Sequence, residues 1–334
     1  MSAETSRFFD RRRSFGFSTG FHCMNLIVPR RIQTEALESP LDRRFTKKMS
    51  QNSRQHETIT RREESPNPYA APRRIESLAD CDIYHTIELP DHGLIEGQWD
   101  LREGIDDYLG GYDWKEQRVL ELGPANGFVT SQLESRGAEV VACDLSEEHD
   151  WDVVPYAEDD VAGELEERRK HIRRLNNAWW LTHSQLNLNA RVVYSPVYDV
   201  PESVGPVDAA FFGSILLQLR DPFRALQRAA ALTTRAIVVT DLMPDPVQLY
   251  RNPIEKLLDR LRGRSNSIYT PRIAFLPRAK PREPKDTWWM ISPESIREFL
   301  AILGFHDARV TRHRQRFAQL DRNMDFYTVV AFRE

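Results

Sequence analysis

Residues 118–128 read Arg-Val-Leu-Glu-Leu-Gly-Pro-Ala-Asn-Gly-Phe, and this segment restricts the fold more than any other. A short apolar run, suited to a buried strand, ends in Gly123 and Gly127, and a helical pattern starts immediately afterwards, over about 126–136. Glycines at such a turn adopt conformations closed to other residues and let a ligand approach the backbone. A strand that passes through a glycine turn into a helix belongs to an alternating α/β chain, and the rest of the sequence keeps that alternation. Strands are predicted at 118–122, 139–144, 191–194, 207–212 and 236–240, with helices at 160–187 and 222–232. A late helix at 292–303 starts with Pro293 in its first turn and stops at Gly304; strands at 308–311 and 326–332 close the chain. The expected fold is α/β: a Rossmann-like seven-stranded, mostly parallel sheet with an antiparallel last strand and helices on both faces.

The turn also limits what can bind. The helix after it offers unpaired N–H groups to a polar or anionic ligand. The second strand ends at Asp144, whose carboxylate is placed to accept both hydroxyls of a ribose. These features specify a nucleoside-type cofactor. The dinucleotide fingerprint asks for a third glycine where Phe128 stands, and Ala125 takes the middle position. Phe128 is expected to crowd a pyrophosphate, and Glu121 to repel phosphate while suiting an ammonium group. S-adenosylmethionine (SAM), which has an amino-acid ammonium and no phosphate, meets these conditions.

The segment resembles motif I of the class I SAM-dependent methyltransferases, and the likeness extends over about residues 80–334. Within that superfamily the chain is similar to bacterial methyltransferases with a "YHTIELPDG" lead-in, a "FFGSLLLHLRDP" motif after the fourth strand and a "TWW" segment before the last helix. Here these read Tyr84-His-Thr-Ile-Glu-Leu-Pro-Asp91, Phe211-Phe-Gly-Ser-Ile-Leu-Leu-Gln-Leu-Arg-Asp-Pro222 and Thr287-Trp-Trp289. A more distant similarity runs to the tRNA uridine carboxymethyltransferase group. The resemblance implies that Glu121, Gly123, Ala125 and Gly127 line the methionine and ribose side, that Asp144 binds the ribose, and that Val197 lies beside adenine. It implies that Gly213 and Ser214 face the sulfonium. Pro196 stands where many relatives have an acid, leaving the Val197 backbone or Asp199 to meet the adenine amine, and Gln218 replaces a frequent histidine. The activity implied is methyl transfer to an oxygen or nitrogen of a small molecule. Alternatives are an RNA-modifying methyl- or carboxymethyltransferase, an NAD(P)-dependent oxidoreductase, or a non-catalytic SAM-fold partner.

Methyl transfer from a sulfonium depends chiefly on in-line placement, with a base needed only for a hydroxyl or a protonated amine. Candidates for that base or for a polar substrate contact are His85 and Tyr84, in an approach segment at 75–112 whose stretch 84–102 reads as a hairpin turning at 91–93, followed by a helical stretch around 105–109. Trp99, Trp288 and Trp289 are candidate substrate contacts, Trp151 a cover for adenine, and Trp179-Trp180 helical core. Each also has an ordinary packing role open to it. His149 with Glu147, Glu148, Asp150 and Asp152 forms an acidic run whose consecutive positions do not converge on one ion, so no metal site is expected.

Charge divides the chain. Residues 1–75 hold 15 Lys/Arg and 8 Asp/Glu, leaving 31 and 42 for the remainder. The segment 1–74 has few apolar residues between its cation pairs and is expected to be a disordered leader. It reads as an RNA-binding arm, a transit peptide, or an extension before a true start at Met49. A domain at 75–334 follows, interrupted at 242–286 by an insertion whose end carries four prolines among cations and reads as an extended exposed loop. Cys23, Cys81 and Cys143 match neither a disulfide framework nor a zinc spacing, which suggests a reducing, cytoplasmic setting. No apolar run approaches the roughly 20 residues of a membrane span.

Overall fold

The computed structural model describes residues 67–244 and 271–333. The readings for most of the leader, for Met49 and Cys23, and for 245–270 of the insertion lie outside the described residues. The approach segment forms a hairpin of β1 (Ile87–Leu89) and β2 (Gly93–Ile95), then β3 (Trp99–Asp100) and the short helix α1 (Ile105–Tyr108). The alternating region follows as β4 (Arg118–Leu122), α2 (Phe128–Ser135), β5 (Glu139–Asp144), α3 (Val161–Gln185), β6 (Arg191–Tyr194), β7 (Val207–Gly213), α4 (Pro222–Leu232) and β8 (Thr233–Leu242). Beyond the insertion come β9 (Ile273–Phe275), β10 (Trp289–Ile291), α5 (Pro293–Ile302), β11 (Phe305–Phe317) and β12 (Arg322–Arg333).

The main sheet has the order β3-β11-β12-β8-β7-β4-β5-β6. Strands β4 to β8 run parallel, while β12 lies antiparallel between β8 and β11. This is the Rossmann-like arrangement that the sequence predicts, with one correction: the sheet has eight strands rather than seven, because two residues of β3 pair with the end of β11. From β4 the chain steps through β5 and β6 to one side, then returns to place β7 on the other. Ligands of open α/β sheets bind outside the carboxyl ends of the strands at such a reversal.

Side chains alternate between the two faces of the strands. Val119, Val140, Val192, Phe211 and Val238 pack toward α2 and α3 with Leu133, Trp179 and Trp180. Leu120, Val141, Val193, Phe212 and Val239 pack toward α4 and α5 with Leu226, Ala229, Ile296 and Leu300. The helices begin where their caps dictate. Asp160 accepts the Gly163 N–H, Asp221 the Arg224 N–H and Ser292 the Ser295 N–H, with Pro222 and Pro293 in the first turns of α4 and α5.

The proline-rich end of the insertion departs from an extended loop. Its β9 pairs with β10 in register Phe275↔Trp289, so this stretch folds back on the domain as a small hairpin.

Candidate active site

The turn between β4 and α2 holds three successive alternate residues at positive φ: Gly123 (76°), Ala125 (50°) and Gly127 (84°). The two glycines serve different ends. A Cβ at Gly123 would lie 2.4 Å from Cγ2 of Ile215, so the backbone there is pressed against the β7 loop. A Cβ at Gly127 would lie 3.2 Å from Thr182 Cγ2 and Trp179 Cδ1, making it a close-packing point between α2 and α3. Ala125 and Ser214 hold positive φ without being glycine, and such strain concentrates at functional loops.

Two adjoining chambers open outside the strand ends. The larger, of about 480 Å³, is lined among others by Leu145, Trp151, Pro196, Val197, Tyr198 and Leu219. The smaller, of about 100 Å³, is lined among others by Tyr84, His85, Ala125, Gly213 and Ser214. Gly123, Asp144, Trp151, Ile215 and Gln218 border both, so the chambers join beside the glycine turn. Of the cofactor residues named from sequence, Gly123, Ala125, Asp144, Val197, Gly213 and Ser214 therefore come together on these walls. Glu121 and Gly127 lie behind them.

Two carboxylates define the electrostatics. Glu121 is 1% exposed; its Oε2 accepts the Thr130 hydroxyl at 2.6 Å, and Oε1 is buried with no partner. Burial pushes its carboxyl up to about 8, against the Thr130 hydrogen bond that favours ionisation. Asp144 ends β5 with Oδ1 accepting the Leu145 N–H at 2.8 Å, and burial raises it to about 7. A buried carboxylate oxygen with nothing to accept marks a place for a ligand donor. Among the described residues Arg169 is the only Arg or Lys on the chamber walls, and it already pairs with Asp150 at 2.7 Å. A pyrophosphate would meet carboxylates and no free cation. The Phe128 ring is not what excludes it, because that side chain is buried in the core beside His85.

The larger chamber is roofed by a fastened loop. Asp152 receives the Tyr198 hydroxyl and the Arg220 N–H, the latter at 2.8 Å. Trp288 donates Nε1–H to the Asp152 carbonyl at 2.6 Å, and its own N–H bonds the Leu217 carbonyl at 2.8 Å. These contacts hold Trp151 across the junction of the chambers. Trp288 and Trp289 line neither chamber, and nor does Trp99, which packs on Phe317 and Phe326. The acidic run disperses: Asp150 faces Arg169, Glu147 faces Arg73 and His149 Nδ1 meets the Ser146 N–H. Among the described residues no group of His, Cys, Asp and Glu is arranged to hold a metal.

The approach segment is tied to the turn by Asn126, whose Oδ1 accepts the His85 N–H at 2.8 Å and whose Nδ2 donates to the His85 carbonyl at 3.0 Å. This places the imidazole in the smaller chamber with a buried, unpartnered Nδ1. Burial lowers His85 to about 3, so the ring is neutral. Burial also raises the Tyr84 and Tyr108 hydroxyls, and Tyr108 lies 3.3 Å from Ser214 Oγ. Sequence reasoning missed Asn126, Tyr108 and Asp241. The last is the penultimate residue of β8, much as Asp144 ends β5, with Oδ2 buried and unpartnered and its carboxyl raised by burial to about 7. A carboxylate closing an apolar strand was the available signal in both cases.

No family model and no curated protein matches the chain. Among solved structures it is similar to the N-terminal domain of EvdMO1 with S-adenosylhomocysteine (SAH) bound, at 17% identity over 75% of this chain and 92% of that one, with a TM-score of 0.45. It is also similar to the magnesium protoporphyrin IX methyltransferase ChlM from Synechocystis PCC 6803 with bound SAH, at 15% identity over 68% and 78% of the two chains and a TM-score of 0.36. A further likeness is to the 1,6-didemethyltoxoflavin-N1-methyltransferase of Burkholderia thailandensis, at 14% identity over 68% and 74% and a TM-score of 0.37. Strand order and cavities, rather than these distant likenesses, define the architecture: a Rossmann-like α/β sheet with two joined chambers at the switch point.

Proposed function

We propose that the protein is a SAM-dependent methyltransferase that methylates an oxygen or nitrogen of a small molecule. The observation that carries the reading is the pair of chambers joined at Gly123 and Asp144, with the unpartnered Glu121 Oε1 buried behind the turn. A cofactor with a cationic ammonium, a ribose and an uncharged purine fits that donor and acceptor set. Asp144 would take the ribose hydroxyls, and Glu121 the ammonium directly or through water. Val197, Leu145 and Leu219 in the larger chamber would flank adenine, and Gly213 and Ser214 the sulfur end. When bound, SAM supplies a sulfonium methyl to the nucleophile.

The remaining chemistry belongs to this chain's side chains. His85 is neutral and borders the smaller chamber, so its ring can hydrogen-bond and orient an acceptor hydroxyl there without carrying charge. Tyr84 and Trp151 border the smaller chamber and limit water there. The fastened loop at 151–153 holds the cofactor side rigid, which favours placement over motion. A cytoplasmic setting is consistent with free, buried thiols at Cys81 and Cys143, and no described helix is long and apolar enough to cross a membrane.

The test is calorimetric titration of SAH, beside NADH and the Asp144→Ala variant. Micromolar binding of SAH, lost in the variant and absent for NADH, supports the reading and opens a search with labelled SAM. Binding of NADH but not SAH would replace it with the oxidoreductase reading. Binding of neither would leave a fold used for another purpose.

A further inference from the structure

A third cavity, of about 540 Å³, lies beside the smaller chamber and is open to solvent. Tyr84, His171 and Leu175 line both spaces, so the two adjoin there. The cavity lies at the functional end of the sheet. β12 starts at the carboxyl end of β8, with Phe326 opposite Leu242, so the β11–β12 turn rises above the same edge as the glycine turn. Its volume falls within the roughly 300–1,000 Å³ usual for small-molecule sites.

We propose that this cleft, between Asp82–Tyr84, Glu96–Gln98 and the turn at Ala318–Gln319, is the acceptor site, and that it takes a hydroxyl-rich, non-anionic acceptor of the sugar or amino-sugar class. The proposal rests on the methyltransferase reading and extends it to the second substrate.

The walls are built rather than incidental. Gly97 is pressed onto the approach segment, where a Cβ would lie 2.6 Å from the Tyr84 carbonyl oxygen, and its N–H bonds Thr86 Oγ1 at 3.0 Å. The Ala318 N–H bonds the Gln98 carbonyl at 2.8 Å, and the Trp99 N–H bonds the Tyr84 carbonyl at 3.0 Å. Two parts of the approach segment and the distant β11–β12 turn are thereby locked edge to edge. On the fourth side Asp82 is held by His171 Nδ1 at 2.9 Å and by Arg174 Nε at 2.7 Å. A carboxylate fixed in this way is preorganised to accept hydroxyl hydrogens without a further ordering cost.

The lining chemistry selects the class. Asp82, Glu96, Gln98 and Gln319 offer carboxylate and amide groups, which suit the paired donors and acceptors of adjacent hydroxyls. Among the described residues no Lys or Arg lines the cleft, which disfavours a phosphate or carboxylate there. Tyr84 supplies the single aromatic side chain apart from the His171 imidazole, too little to sandwich a flat ring system. Arg174 offsets the charge of Asp82, whereas Glu96 has no ion-pair partner among the described residues. Glu96 is thus the place for an amine. Past Tyr84, the neutral His85 ring borders the adjoining chamber that an acceptor hydroxyl would enter.

The experiment is saturation-transfer NMR on the full chain with SAH at saturation. The probes are galactose, glucosamine, glucose 6-phosphate and catechol, tested against the parent protein, Gln98→Trp and Glu96→Gln. The expected result is transfer to galactose and glucosamine, with loss of both in Gln98→Trp. Glu96→Gln should lose only the advantage of glucosamine over galactose. Transfer to the phosphate or the catechol instead, sugar signals that survive Gln98→Trp, or no transfer to any probe while SAH binds would each overturn the acceptor assignment. Failure of SAH itself to bind would overturn the methyltransferase reading, and this proposal with it.

Discussion

Two buried carboxyls in the cofactor site make ligand binding a proton-releasing event, and its size follows from the structure. With Glu121 raised to about 8 and Asp144 to about 7, both hold protons at about pH 5.5, whereas at about pH 7.5 roughly three-quarters of Glu121 and one-quarter of Asp144 remain protonated. An ammonium beside Glu121 and ribose hydroxyls on Asp144 both favour the ionised forms. SAH should therefore expel about two protons per site at about pH 5.5 and about one at about pH 7.5. Calorimetry in two buffers of different ionisation enthalpy reads this directly, and working below about pH 7.5 keeps the ligand's own ammonium charged. Glu121→Gln should cut the release at the lower pH to about one. The same carboxyl acts on stability with a definite sign. An acid raised on folding binds more protons in the native than in the unfolded state, so the ligand-free protein loses stability as pH climbs from about 4.5 to about 8. The full loss for Glu121 is of order 5 kcal/mol, and bound SAH should flatten it. Release near zero at the lower pH, or release unchanged by Glu121→Gln, would refute the placement of the ammonium at Glu121.

Gly123→Ala puts a Cβ where Ile215 Cγ2 lies 2.4 Å away and forces a side chain onto a φ of 76°; expect about 2 kcal/mol or more of destabilisation in urea and SAH affinity down at least tenfold. Trp288→Ala removes the donor to Asp152 and a buried indole, and should cost about 3 kcal/mol while speeding SAH dissociation in stopped-flow displacement. His85→Leu, with a hydroxyl acceptor the parent turns over, should lower kcat about 10-fold through the lost orienting hydrogen bond, with little change in the KM for SAM; a change in KM alone would reduce His85 to a packing residue.

The parts of the fold that could be read in the sequence are those where local pattern and tertiary packing agree. β4, β6 and α4 begin and end where apolar period and turn residues place them, and α5 starts at its Ser292-Pro293 cap. β11 was legible only over Ala308–Thr311, although it spans Phe305–Phe317. Its inward positions include His313 and Gln315, which break the apolar alternation. They are accommodated by partners that only the fold supplies: Thr328 Oγ1 at 2.9 Å from His313 Nε2, and the Gly104 carbonyl at 2.9 Å from Gln315 Nε2. β3 falls inside the stretch 84–102 that reads as one hairpin, but it leaves the β1–β2 pair and joins the main sheet through β11, a pairing set by tertiary structure alone. In the site, the glycine turn and Asp144 announce themselves through strand ends. The bonds of Asn126 to His85 and of Trp288 to Asp152 span 41 and 136 residues, and no short-range signal encodes them.

The chambers and the cleft draw on different stretches of chain, and this separation has a practical side. The walls of the larger chamber fall within 123–219, while the cleft, apart from His171 and Leu175, is framed by 82–98 and 318–319. The machinery for one substrate is therefore a continuous central block, and the frame for the other is a clasp made from its two flanks, closed by the Ala318–Gln98 bond. Exchanging the clasp for one of another shape changes what is admitted while leaving the cofactor end as it was. On the proposed reading, the domain would serve in an engineering sense as a fixed cofactor station with a replaceable mouth, and libraries confined to 96–98 and 318–321 are where new acceptors should first be sought.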